Sequence, residues 1–88
     1  MRKKDFVLWY LLKKGMAYVQ EMYREWKERC FKVGHQAGTY DSFRVLINEM
    51  KKEGLIEVAK TEKTKWKFDR VYYRLTAKGL EVAKAKFA

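Results

Sequence analysis

The sequence predicts one α+β domain, in which three helices are followed by two strands and a last helix. Three observations predict this order. Apolar residues recur at helical spacing in the first part of the chain, two runs rich in strand-forming residues follow, and a Leu-Thr-Ala-Lys-Gly sequence then begins a further helix. The predicted domain covers residues 1–88, because a chain of this length suits one compact core.

The first two helices are predicted from their apolar residues. The first covers about residues 4–14 and ends at Gly15, since glycine favours the backbone conformation that follows a helix. Its middle is apolar on every side, so we expect it to lie at the centre of the core or to be shared with a second subunit. The second covers about residues 17–32, and a connection with two glycines follows it.

The third helix is the best-defined predicted element. Thr39 suits the N-cap position, and Gly54 suits the position past the end of the helix. A core-facing stripe at the spacing i, i+3, i+4, i+7 consists of Phe43, Leu46, Ile47 and Met50. The other positions include Tyr40, Asp41, Arg44, Asn48, Lys51 and Lys52. This helix therefore has one face for the core and one face that is free.

Two strands and a helix complete the prediction. Residues 55–60 and 68–75 are rich in strand formers, and Val71, Tyr73 and Leu75 alternate toward the core. Residues 61–67 lack the Asn-Gly or Asp-Gly of a two-residue turn, so we expect a longer hairpin tip. Thr76 then caps a helix whose predicted inward-facing residues are Leu80, Ala83 and Phe87.

This order of elements, with a polar third helix before a lysine-rich hairpin, is that of a winged helix-turn-helix. Two stretches resemble winged-helix transcription regulators of the PadR and MarR type. They are "TYDSFRVLINEMKKEGLI" at 39–56, similar to the recognition helix of those regulators, and "YYRLTAKGLEVAK" at 72–84, similar to their join between wing and helix. The compact form is also similar to small winged-helix proteins of archaea and their viruses or plasmids. The absence of Pro and the abundance of Lys and Glu are typical of proteins from hot environments.

The charge balance indicates a polyanionic partner. The chain carries 21 Lys and Arg residues against 11 Asp and Glu, a net charge of +10. Each phosphate neutralised by a Lys or Arg releases condensed counterions, which favours binding to nucleic acid. The resemblance implies that the third helix enters the major groove of double-stranded DNA and that the hairpin contacts the backbone or the minor groove. We therefore expect a sequence-specific regulator.

Candidate DNA contacts follow from this placement. Arg44 can bind guanine O6 and N7, and Asn48 can bind adenine, each through two hydrogen bonds. The full candidate set is Gln36, Thr39, Tyr40, Arg44, Asn48, Lys51, Lys52, Lys63, Lys65, Lys67 and Arg70. Trp66 is either a wedge for the minor groove or a side chain that packs back onto the hairpin. An ordinary solvated surface is the alternative for the whole set.

The expected assembly is a homodimer on a pseudo-palindrome, with half-sites about 34–36 Å apart. Its contact is predicted on the first helix, through Phe6, Val7, Trp9 and Tyr10. The predicted terminal helices are shorter than in the resembling families, so no small-molecule effector is expected. No cofactor, metal or membrane span is expected, and we place the protein in the cytoplasm.

The sequence offers no convincing catalytic set, so an enzyme is the least favoured class. Cys30 is the only cysteine and cannot form a disulfide within the chain, although a bond between subunits stays open; His35 is the only histidine. Two other functions also stay open. The domain can be a protein–protein adaptor in a replication or transcription assembly, or an architectural protein that binds nucleic acid without sequence preference.

Overall fold

The structure, a computed structural model, describes residues 2–66 and 69–87. Within these residues the chain forms α1 (Lys3–Lys14), β1 (Met16–Tyr18), α2 (Val19–Val33), α3 (Tyr40–Lys52), β2 (Ile56–Glu62), β3 (Arg70–Leu75) and α4 (Ala77–Phe87). The strands make one antiparallel sheet in the order β1-β3-β2. This arrangement confirms the predicted α+β class and adds one strand to the predicted order.

The additional strand, β1, occupies the start of the predicted second helix. Ala17 pairs with Tyr73 of β3 and is fully buried, and α2 begins only at Val19. Three residues are too few to show the alternation that identifies a strand. The strand exists because of its pairing with a distant part of the chain, and this tertiary contact overrides the local helical pattern.

α1 lies at the centre of the core. Its buried side chains are Phe6, Val7, Leu8, Tyr10 and Leu11. The Phe6 ring centroid lies 5.3 Å from that of Trp26 in α2. The predicted subunit contact through Phe6, Val7 and Tyr10 is therefore wrong in these residues, because a single chain already buries them to 7% exposure or less. Trp9, the fourth predicted contact residue, is half-buried at the edge of the same core.

α3 is held with one face in the core, as predicted. The Thr39 hydroxyl oxygen accepts a hydrogen bond of 3.1 Å from the backbone N–H of Ser42, which caps the helix. Phe43, Ile47 and Met50 are at most 1% exposed. Because these side chains repeat on one side of the helix, the opposite side stays free for a ligand.

The start of α4 packs directly on the turn between α3 and the sheet. The Thr76 hydroxyl oxygen accepts a 3.0 Å hydrogen bond from the backbone N–H of Gly79, which confirms the predicted cap. A Cβ atom at Gly79 would lie 1.9 Å from the carbonyl oxygen of Leu55, so only glycine fits there. Of the predicted inward-facing residues of α4, Ala83 is fully buried and Phe87 packs against the core, as predicted, whereas the prediction for Leu80 is wrong because it is 37% exposed.

β2 and β3 form the wing, a hairpin beside α3. β2 extends to Glu62 and β3 begins at Arg70, so both ends of the connection between the strands lie two residues later than in the predicted segment 61–67. The register shifts between Val58 and Lys60, which marks a β-bulge. A bulge bends its strand and increases the local twist, so the wing is not a flat ribbon. In the part of the chain that the structure describes, no helix has the length and apolarity needed to cross a bilayer.

Candidate nucleic-acid interface

α3, the wing and the start of α2 enclose an open cleft of about 580 Å³, the helix–wing cleft. The wall on the α3 side consists of Tyr40, Arg44, Ile47 and Asn48; the other sides consist of Tyr18, Val19, Gln20, Thr64, Trp66, Asp69, Arg70, Val71 and Tyr73. Four predicted DNA contacts are thus brought together: Tyr40, Arg44, Asn48 and Arg70. They come from segments far apart in sequence, and the fold converges them on one surface.

Arg44 is positioned by aromatic side chains and keeps its charge available. Its guanidinium lies 6.0 Å from the centroid of the Tyr40 ring, and that ring packs edge-on against Tyr23 with centroids 5.5 Å apart. Among the described residues, no acidic side chain lies within ion-pair distance of Arg44. Asn48, one helical turn further along α3, is exposed on the same wall. The two side chains therefore present hydrogen-bonding groups outward together.

Arg70, at the start of β3, is held more firmly. Its guanidinium lies 4.4 Å from the Tyr18 ring centroid and 3.7 Å from a carboxylate oxygen of Glu62. Tyr18 packs edge-on against Tyr72, with centroids 5.4 Å apart. Hydrogen bonding with Tyr72 raises the pKa of Arg70 above its ordinary value. Arg70 thus offers a charge fixed in position.

The wing tip carries exposed lysines and an exposed tryptophan. Lys63 and Lys65 are open to solvent. Trp66 is 83% exposed, so the expectation that it packs back onto the hairpin is wrong. Lys67, the remaining predicted contact of the wing tip, lies outside the described residues.

The other predicted contacts lie around the cleft and do not line it. Gln36 is exposed in the segment before α3, and Lys51 and Lys52 are exposed in its last turn. The Thr39 hydroxyl oxygen is engaged in capping α3. These four residues lie before α3 or at its two ends, where phosphates flank a helix in a groove.

Among the cleft residues that were not predicted contacts, Tyr18 and Gln20 contribute polar groups from the side that faces α3. Tyr18 ends β1 and Gln20 lies in the first turn of α2, so both depend on the strand that the sequence did not reveal. The alternation in β3 could have signalled Tyr18 only if the pairing of β1 with β3 had been known.

Neither the cysteine nor the histidine forms a chemical centre within residues 2–66 and 69–87. Cys30 is buried, and His35 is exposed in the connection after α2. No group of three or more His, Cys, Asp or Glu side chains in this described part is arranged to hold a metal ion.

The fold is similar to that of several bacterial transcription regulators. No protein-family model and no curated protein matches the sequence. Bacillus subtilis PadR in complex with operator DNA superposes with a TM-score of 0.75 at 20% identity; the match covers 94% of this chain and 45% of that one. A PadR family transcription regulator from Clostridium difficile R20291 superposes with a TM-score of 0.72 at 20% identity, and the match covers 97% of this chain and 83% of that one. A PadR-like transcriptional regulator from Bacillus cereus ATCC 14579 superposes with a TM-score of 0.71 at 24% identity, and the match covers 93% of this chain and 74% of that one.

These likenesses show the fold class: the chain is a winged helix. More narrowly, the winged helix is of the form found in PadR-family transcription regulators. The chain spans 45% of the length of the B. subtilis protein. The compared structures are bacterial, so the resemblance to archaeal or viral proteins, like the thermophilic origin, stays a prediction.

Proposed function

We propose that this protein binds double-stranded DNA in a sequence-specific manner and regulates transcription as a homodimer, without enzymatic activity. One observation carries the proposal: Arg44 and Asn48 on the free side of α3 line one cleft with Arg70 of the wing. Their hydrogen-bonding groups point away from the core, and Arg44 has no acidic partner among the described residues. The similar fold of a PadR bound to operator DNA supports the same conclusion.

In the proposed complex α3 lies in the major groove. Arg44 donates two hydrogen bonds to guanine O6 and N7, and Asn48 pairs with an adenine in the same bidentate way. The two residues are four positions apart, which places them about 6 Å apart along the helix axis. That separation is close to two base-pair steps of about 3.4 Å, so the two side chains can read different base pairs and give the protein its sequence preference.

The remaining candidates bind the backbone. We assign Gln36, Thr39 and Tyr40 to phosphates near the start of α3, and Lys51 and Lys52 to phosphates at its end. The wing contacts are Lys63, Lys65, Lys67 and Arg70, on the backbone or in the minor groove. Such contacts fix orientation and carry the salt dependence of binding, whereas α3 carries the specificity.

The proposed dimer places two copies of α3 in successive major grooves, about 34–36 Å apart. Since Phe6, Val7 and Tyr10 are buried within one chain, the proposed contact between subunits uses other side chains. No effector is part of the proposal.

Selection of binding sites from random duplex DNA at physiological salt tests this function. We expect a symmetric consensus with two half-sites, and sedimentation of the complex as two chains per duplex. Tight binding without enrichment of any sequence would indicate an architectural protein. If no duplex is bound, the proposal is wrong and a protein–protein adaptor is favoured.

A further inference from the structure

The chain has three tryptophans, and they lie in very different environments. Trp26 is 7% exposed, and its indole N–H donates a 3.1 Å hydrogen bond to the carbonyl oxygen of Ala37. Trp9 is half-buried, with Arg29 and a lysine over its ring. Trp66 is 83% exposed at the tip of the wing. Leaving so large an apolar ring in water is unfavourable, so a partner that covers the ring would gain binding free energy.

The backbone under Trp66 is held in a defined turn. The Thr64 hydroxyl oxygen accepts a 3.2 Å hydrogen bond from the backbone N–H of Trp66. This bond closes a local turn that fixes the peptide from which the indole projects. The bulge between Val58 and Lys60 bends the hairpin that carries this turn. The backbone at Trp66 is therefore held by a hydrogen-bonded turn at the end of a bent hairpin.

Trp66 is on the same side of the molecule as the groups proposed to read bases. It lines the helix–wing cleft together with Arg44 and Asn48. Exposed Lys63 and Lys65 precede it in the chain. The minor groove is about 6 Å wide and is bordered by phosphates, so an apolar ring beside cationic chains suits its narrow floor and charged rims.

We propose that Trp66 inserts its indole into the minor groove beside each half-site, wedges between two base pairs and bends the DNA. This inference rests on the proposed function, since it requires α3 to be in the adjacent major groove. Apolar wedges at such positions unstack a base step and bend the duplex by about 20–90° toward the major groove. Flexible TA and CA/TG steps are the easiest to open. The protein should therefore prefer such a step at a fixed distance from the bases that α3 reads, although no polar side chain reads it.

The test uses the full chain and the selected duplex, with 2-aminopurine replacing an adenine at the flanking step and dyes at the duplex ends. The wild type is expected to raise the 2-aminopurine fluorescence and to shorten the distance between the ends. Trp66→Ala is expected to abolish both signals and to weaken binding about tenfold, because a stacked aromatic ring is lost. Trp66→Phe should retain part of both signals.

Phe31→Ala is the matched control, since Phe31 is an exposed aromatic residue, at 86%, that does not line the cleft. It should leave both signals unchanged. A wild-type complex with a straight, stacked duplex overturns the wedge and leaves the proposed function intact. So does a Trp66→Ala variant that deforms DNA as the wild type does. If binding shows no sequence preference, the same measurement is made on duplexes with a central TA step; failure to bind any duplex overturns both proposals.

Discussion

α1 buries its side chains on nearly every side, whereas α3 buries one stripe and leaves the opposite side open. Both helices contribute phenylalanines to one core: Phe6 and Phe43 are each at most 2% exposed. The difference lies in what remains at the surface. The fully exposed side chains of α1 are those of Lys13 and Lys14 in its last turn, while α3 presents Arg44 and Asn48 to the helix–wing cleft. The all-round apolar pattern of α1 therefore belongs to structural support in this domain, whereas the amphipathic pattern of α3 leaves a polar side free for the proposed contact with DNA.

The largest expected effect tests the supporting role of α1. Phe6→Ala removes a ring that packs against Trp26 and Tyr10, and it should lower the free energy of unfolding by about 3–5 kcal/mol. Urea unfolding followed by circular dichroism measures this change. At a temperature where the variant stays folded, its salt dependence of DNA binding should equal that of the wild type. A loss below about 1 kcal/mol would show that α1 is not central to the core.

The next effect tests recognition by α3. Arg44→Ala should weaken binding to the selected site by about 1–3 kcal/mol and relax the preference at one base position, because a bidentate contact is lost. Fluorescence anisotropy with matched and substituted duplexes measures both. Arg29→Ala is the control: it removes the same charge from the exposed side of α2, where Arg29 lies over Trp9. Equal losses of DNA affinity for the two variants would mean that Arg44 contributes only its positive charge and reads no base.

A smaller effect on stability is expected at Thr39, which caps α3 and is also a proposed DNA contact. Thr39→Ala removes the cap of α3 and should lower the free energy of unfolding by about 1 kcal/mol. Thr39→Asp keeps an acceptor for the Ser42 N–H and should restore most of the stability. It also adds negative charge beside the proposed DNA surface. Stability restored together with weaker DNA binding would separate the two roles of this position; equal stability of all three proteins would rule out the cap.

The smallest expected change concerns the wing tip. Lys65→Ala should decrease the steepness of the plot of log affinity against log salt by about 0.9, because one phosphate contact is lost. The loss of affinity should be the same for every sequence. Titrations at several salt concentrations with the selected and a scrambled duplex measure it. An unchanged slope would mean that Lys65 stays solvated in the complex.

Local signals predicted the elements of the fold well, and contacts between distant segments account for the errors. The caps at Thr39 and Thr76 could be read directly, because a capping side chain and its partner are three residues apart. β1 could not be predicted from the sequence, because its three residues form a strand only through their pairing with β3. The apolar surface of α1 suits a core and a subunit contact equally, and only the packed chain decides between them.

In the candidate site, too, local patterns predicted some residues, while the positions of others depend on contacts between distant segments. Arg44 and Asn48 could be predicted from the polar side of one amphipathic helix. That Trp66 is exposed in the same cleft could not be predicted, because a hairpin tip allows a tryptophan to point either way. Tyr18 and Gln20 were missed because their position depends on β1.

The start of α4 contacts the turn after α3 and restrains the backbone of that turn. Gly79 lies against the backbone of Leu55, the Thr76 hydroxyl donates a hydrogen bond to the Gly54 carbonyl oxygen, and the Lys78 ammonium donates one of 2.9 Å to that of Glu53. Because this turn joins α3 to the first wing strand, these contacts restrain the position of the wing relative to α3. A DNA site with altered bases would then lose single hydrogen bonds. A site with one inserted base pair, which moves the flanking step by about 3.4 Å, would lose α3 or the wing entirely.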